Sequence, residues 1–301
     1  MSCQNPFRIK KPNGEIATVP CRHCVGCTIK KIQDLRVYGI AEQTANSLNG
    51  YSSSFIRLSY NDSNLPVMYD GRLRRLGELM QNGKVPKDFT PTLFKSDFVK
   101  FMKRLRQDIA RNYDGRKIKY IYCGEYGDVG NRPHYHIVLF GLSAKQAEFL
   151  IKKQWHYGFC TYLPLKAGAI TYISKYMFHD VFGKEKYEKY NKIGVEAPFV
   201  YHSCNLGDKY LSQYHDSGNV PLLGNKYSFP TYYAKKYNIE QKALTAEEVR
   251  KRKEENKKRS EEYVIKERQR GIAIDDSSMN IKQSPVGYVH KLSQEALKDE
   301  K

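Results

Sequence analysis

At 301 residues the chain has room for one large domain or two. Its 51 Lys and Arg against 32 Asp and Glu leave a net charge of +19, an excess that suits a polyanionic partner and exceeds what solubility alone asks for. No run nears the roughly 20 apolar residues of a membrane span and no apolar signal segment follows Met1, so a soluble protein that acts where it is made, with no membrane partner, is expected.

Cys21, Cys24 and Cys27 form C-x-x-C-x-x-C, with His23 interleaved and Cys3 available as a fourth thiolate. Thiolates spaced this way on a tight turn are the usual half of a structural zinc site. Three in a row also match part of an iron–sulfur run, and unligated thiols are the third alternative; zinc is favoured. Cys123, Cys160 and Cys204 are read as packing residues. Residues 28–49 carry Ile32, Leu35, Val37, Ile40 and Ala41 at helical spacing, which predicts an amphipathic helix stopped at Gly50. Residues 53–60 are rich in β-formers and predict the first strand. Residues 61–92, broken by Pro66, Gly71, Gly77, Gly83 and Pro86, read as an irregular excursion. Its Arg72, Arg74 and Arg75 serve either as phosphate contacts or as a solvated basic loop. Residues 96–112 form a helix capped by Ser96, with Phe98, Phe101, Met102, Leu105 and Ile109 as its core stripe.

Residues 117–123 predict a second strand leading to Glu125, followed by a hairpin loosened by Gly124, Gly127 and Gly130 and a strand over 134–141. Side chains alternate faces along a strand, so His134 and His136 project to one side while Tyr135 faces the other. Two such imidazoles can chelate one divalent cation, with an oxygen from Glu125 on the adjacent strand; two half-exposed histidines are the plain alternative. A helix over 143–155 and a strand over 158–165 follow. In GAITYISKYMFHD, read as a helix, Tyr172 and Tyr176 stand one turn apart with Lys175 beside them. A phenol, with its pKa near 10, attacks poorly at neutral pH unless a metal polarises the phosphate it attacks. Otherwise the two tyrosines are the core stripe of the helix.

Strands joined by helices and tight turns predict an α+β fold: a central antiparallel sheet of about five strands with helices on one face. The aromatic and basic stretch 210–239 suits either single-stranded DNA or packing on the sheet. Thr245 and Glu248 open a long charged helix to residue 270, and the last thirty residues are polar. The expected division is a Cys-rich segment and helix (1–50), a central domain (51–240) and a charged helix with its tail (241–301). The chain contains no G-x-x-x-x-G-K-[ST] loop.

The order of SSFIRLSYND, RPHYHIVLFG and TYISKYM resembles the HUH endonucleases that initiate rolling-circle replication, over roughly residues 53–176. The size and the start PCRHCVGC resemble most the initiators of the gokushovirus branch of the microviruses. The resemblance implies an HUH, RRM-like fold and Mg²⁺ or Mn²⁺ held by His134, His136 and Glu125. It implies attack by Tyr172, leaving a 5′-phosphotyrosine and a 3′-hydroxyl primer, then cutting of the regenerated origin by Tyr176. Lys175 would stabilise phosphate charge or position the metal's water. The implied partners are origin DNA presented as single strand and the host helicase and DNA polymerase, in the bacterial host cytoplasm. Plasmid initiators, relaxases and transposases of the same superfamily are the enzymatic alternatives; a zinc-stapled single-strand binder is the non-enzymatic one.

Overall fold

The computed structural model describes residues 3, 6–22, 24–80, 86–127, 130–166, 168–175 and 187–239. The chain divides into two compact units, residues 35–228 forming one and the described residues up to 34, with 229–239, belonging to the other. The latter opens with an antiparallel hairpin of β1 (Phe7–Lys10) and β2 (Ile16–Val19), registered from Phe7↔Val19 to Lys10↔Ile16. Helix α1 (Val25–Leu48) follows, close to the expected 28–49, and buries Ile32, Leu35, Val37, Ile40 and Ala41 as the spacing predicted.

β3 (Ser53–Ser59) begins the central sheet. The excursion after it is not irregular. β4 (Pro66–Tyr69), β5 (Arg72–Arg75) and β6 (Thr90–Pro91) form a three-stranded sheet in the order β5-β4-β6, with a short helix α2 (Leu76–Leu79) after β5. Gly71, with φ of +69°, makes the turn between β4 and β5, while Pro66 opens β4 and Gly77 lies in α2.

Then come α3 (Lys95–Asn112), β7 (Lys119–Tyr126), β8 (Pro133–Phe140), α4 (Ala144–Ile151), β9 (Cys160–Pro164), α5 (Gly168–Lys175) and β10 (Phe199–His202). The five-stranded sheet runs β10-β7-β8-β3-β9, antiparallel throughout, as the α+β reading expected. Ser96 does not cap α3. Phe94 holds the cap position, and the Lys95 amide instead donates to the Glu196 carboxylate at 2.9 Å.

The strand alternation sorts side chains onto two faces. Ile56, Leu58, Tyr122, Tyr135, Ile137 and Leu139 face the α3 stripe and α4 and form the main core with them; burying each such aliphatic side chain contributes roughly 1.5–3 kcal/mol. The opposite face is covered at one end by α1 and α5. A Cβ on Gly39 of α1 would lie 2.8 Å from Ile170 of α5 and 3.0 Å from Ile121 of β7. Helices therefore lie on both faces, not one as expected. The mark of this in the sequence is HYHIVLF itself: every residue of β8 is buried, the signature of a strand covered twice.

Arg75 is a half-buried residue tied into the fold rather than a phosphate contact. Its guanidinium donates to Asp97 at 2.6 Å and to the Asn64 carbonyl at 2.8 Å, while Tyr60 donates to the same carboxylate at 2.8 Å. Gly158, before β9, packs against backbone of Ser59 and Asn61, where a Cβ has no space. Gly158→Ala is expected to cost about 2 kcal/mol or more, read as a lower urea midpoint; an unchanged midpoint would show that this junction shifts freely.

The large unit ends with α6 (Asp208–Leu211) and a hairpin of β11 (Asn219–Leu222) and β12 (Asn225–Ser228). Helix α7 (Thr231–Lys236) lies in the other unit. Within the aromatic stretch Tyr210 and Tyr233 are buried while Tyr232 is exposed, so much of it packs. Cys123 is buried and Cys160 half-buried, but Cys204 is exposed and not a packing residue. Among the described residues no helix is long and apolar enough to cross a membrane. The charged helix expected from residue 245 lies outside the described residues.

Candidate functional site

β7 and β8 pair so that Glu125 stands opposite His134 and Cys123 opposite His136. This register puts one carboxylate and two imidazoles on the same face, next to one another in the middle of the sheet. Glu125 Oε1 lies 2.5 Å from His134 Nε2 and 2.8 Å from His136 Nε2. Both histidines are buried and Glu125 nearly so. Burial raises the Glu125 carboxyl, but the hydrogen bonds and charges of His134 and His136 outweigh it, so the group lies below its ordinary range.

The donor set fits a divalent cation. His134 Nδ1 lies 3.2 Å from the Arg132 carbonyl, which only accepts, so Nδ1 carries the hydrogen and Nε2 is left with its lone pair. That lone pair and the Glu125 oxygen are then two acceptors in contact, an arrangement that requires a proton or a cation between them. The Arg132 backbone is fixed in turn, because its guanidinium donates to Asp62 at 2.7 Å and to the Tyr60 carbonyl at 3.0 Å. The three ligand atoms lie within 4.8 Å of one another, and two nitrogens with one oxygen suit a divalent ion with open positions.

α5 brings Tyr172 to this site. Ile170, Ile173 and Ser174 are its buried residues, while Tyr172 is 42% exposed. Tyr172 is therefore not part of the helix's core stripe. Its ring stands edge-on to His136, 5.6 Å between centroids, and 6.1 Å from Phe55 of β3. Lys175 is the last residue of α5; its side chain and all of Tyr176 lie outside the described residues. The structure thus gathers Glu125, His134, His136 and Tyr172.

Cys3, Cys21, Cys24 and Cys27 come together in the other unit. Cys21 and Cys27 Sγ are 4.0 Å apart, and Cys24 and Cys3 Sγ 3.9 Å. A tetrahedron of Zn–S bonds near 2.3 Å has edges of about 3.8 Å, so the separations fit four thiolates on one ion and are far too long for disulfides. The Cys21 amide donates to Cys3 Sγ at 3.2 Å and the Cys24 amide to Cys21 Sγ at 3.3 Å, bonds that favour thiolate over thiol. Burial is the first cause that pushes the uncoordinated Cys27 thiol up, to about 12.

A model of the family described as replication-associated protein ORF2/gene 2 protein matches residues 86–180, which span Glu125, His134, His136 and Tyr172. Over 246 residues the chain is 25% identical to the replication-associated protein ORF4 of Chlamydia phage 1, covering 71% of this chain and 52% of the relative. It is 31% identical over 141 residues to the replication-associated protein ORF2 of Spiroplasma virus 4, covering 46% of this chain and 37% of the relative. It is 24% identical over 255 residues to the replication-associated protein VP4 of Bdellovibrio phage phiMH2K, covering 75% and 70%. The chain thus spans about half the length of the first relative and just over a third of the second. The resemblance to phage replication proteins holds. No solved structure matches this chain.

Sequence reasoning passed over two residues of the same sheet face. Arg57 of β3 pairs with His136, and Phe159, whose backbone exchanges hydrogen bonds with Ser59, lies in line with His134. Alternation in FIRLS, with Ile56 and Leu58 inward, was the signal available for Arg57.

Proposed function

We propose that the chain initiates rolling-circle replication of a small circular DNA by nicking its origin with a tyrosine. One observation carries this: an exposed tyrosine stands beside a buried His-His-Glu set on a basic protein related to phage replication-associated proteins. Glu125, His134 and His136 would hold Mg²⁺ or Mn²⁺. When bound, such an ion supplies positive charge at a scissile phosphate. The Tyr172 hydroxyl attacks the phosphorus, forming the tyrosine O–P bond as the P–O3′ bond breaks; the phenolic proton goes to solvent and the 3′-oxygen takes one up. The strand is left with a 5′-phosphotyrosine and a 3′-hydroxyl that host polymerase extends. Because one phosphodiester replaces another, the link remains open to attack by a 3′-hydroxyl, which rejoins the displaced strand. Tyr176 makes the second cut and Lys175 neutralises phosphate charge. The reaction takes place in the bacterial host cytoplasm, with unwinding by a host helicase.

The test is primer formation. Circular single-stranded origin DNA incubated with the protein and Mn²⁺ should become extendable by a polymerase without an added primer. Binding without extendable ends would favour a non-enzymatic single-strand binder.

We assign one structural zinc ion to Cys3, Cys21, Cys24 and Cys27. Elemental analysis should give one zinc per chain, lost in Cys24→Ser together with a fall in Tm. An iron–sulfur absorption band, or metal-free protein of unchanged Tm, would contradict it.

A further inference from the structure

Rows of side chains run across the histidine face of the central sheet. In one, Glu125, His134, Ser59 and Phe159 succeed each other on β7, β8, β3 and the residue before β9. In the next, Cys123, His136, Arg57 and Thr161 do the same. Strands in a sheet lie about 4.8 Å apart, so Arg57 stands one strand from the metal-ligating histidines and Phe159 two. Arg57 is exposed, and among the described residues its side chain makes no hydrogen bond or ion pair. Its neighbours on this face, Phe55, Ser59 and Thr161, carry no negative charge. Phe159 is 68% exposed, a large apolar ring at the open edge of a sheet with nothing described upon it.

A guanidinium on a sheet surface one strand from a cation site is unfavourable by itself. An anion that reaches both positive centres is attracted by each of them. A phosphodiester chain is such an anion, with phosphates joined at a spacing that lets neighbours lie on neighbouring strands. An exposed ring next along the path is what an unpaired base stacks on. We propose that the single strand leaves the nicking site across β3 towards the β9 edge, with a phosphate next to the scissile one on Arg57 and an adjacent base on Phe159. The inference rests on the nicking function proposed above and adds the route and the two contacts. Arg57 gives a planar, bidentate phosphate contact, which lysine would keep only as a point charge. Both contacts are made to features shared by all single strands, so they position the chain without reading its sequence.

The test uses the full chain and a short oligodeoxythymidylate carrying a fluorescent label, with binding followed across a range of salt concentrations. Arg57→Ala should flatten the slope of log K against log salt by about 0.7, the loss of one single-strand phosphate contact. Phe159→Ala should weaken binding about tenfold with the slope unchanged. Arg72→Ala and Phe149→Ala serve as controls, an exposed arginine of the small sheet and an exposed phenylalanine of α4, and should change little. Equal effects of Arg57→Ala and Arg72→Ala, or of Phe159→Ala and Phe149→Ala, would overturn the track and leave only a generally basic surface. Binding needs no cleavage, so the two readings fail separately. The expected pattern without primer formation would sink the nicking reading alone; primer formation without the pattern would sink the track alone.

Discussion

His136→Ala is expected to lower nicking more than about a hundredfold while leaving the protein folded. Removing a group that merely orients a metal ligand already costs about 10- to 100-fold in metal affinity or activity, and His136 offers a ligand atom directly. The same substitution also removes the ring against which Tyr172 stands, 5.6 Å away. His136 is buried, but its Nε2 faces Glu125 rather than the hydrophobic core, which lies on the other side of β8. Manganese affinity, read by isothermal titration on unreacted protein, should fall in parallel. A variant that keeps wild-type nicking and manganese affinity would show that the histidines are packing residues and that the reaction lies elsewhere.

Asp97→Ala is expected to cost the fold about 3 kcal/mol. The carboxylate is 1% exposed and accepts from Arg75 at 2.6 Å and from Tyr60 at 2.8 Å. Losing it strands a partly buried guanidinium and a buried phenol together, and breaking such a pair from one side costs about 3–5 kcal/mol when burial is complete. Arg75 keeps some solvent access, hence the lower figure. Burial first, and then the neighbouring Tyr135 and Asp97, hold the Tyr60 phenol far above its ordinary range, so it stays a donor that needs an acceptor. Tyr60 Oη also lies 3.1 Å from Tyr135 Oη, and Tyr135 donates to the Phe94 carbonyl at 2.9 Å. Since Tyr135 sits between the two histidines, this network links the start of α3 to the strand that carries the site. Urea denaturation should show a lower midpoint with an unchanged slope; Asp97→Asn, which keeps an acceptor for Tyr60, should lose less. A loss under about 0.5 kcal/mol in the alanine variant would show that Arg75 and Tyr60 find water instead.

The site was legible in the sequence where local rules are strict. Alternation along a strand needs no tertiary knowledge, so His134 and His136 on one face followed directly, and a hairpin with glycines at its turn placed Glu125 across from them. Spacing likewise marked the cysteines. The small sheet of β4, β5 and β6 was missed because its strands are two to four residues long and punctuated by glycine and proline, which alone argue for loops. Arg75 was misread for a related reason: a cation in a basic cluster looks solvated until its partner, Asp97, arrives from 22 residues downstream. The second helical layer could be inferred only from the unbroken burial of β8, a run that looks the same as an ordinary apolar strand. The β1–β2 hairpin has exposed residues throughout β1 and leaves little alternation to detect. Arg57 and Phe159 become informative only once three strands are aligned side by side.

The most direct test of the central claim is covalent capture. Labelled circular single-stranded origin DNA is incubated with Mn²⁺ and wild type, Tyr172→Phe, Tyr176→Phe or the double variant, then run on a denaturing gel. The predicted result is a manganese-dependent protein–DNA adduct in wild type, mapped to the peptide carrying Tyr172, reduced in Tyr172→Phe and absent from the double variant. An adduct that persists in the double variant, or no adduct from wild type on DNA it binds, would contradict a tyrosine nickase.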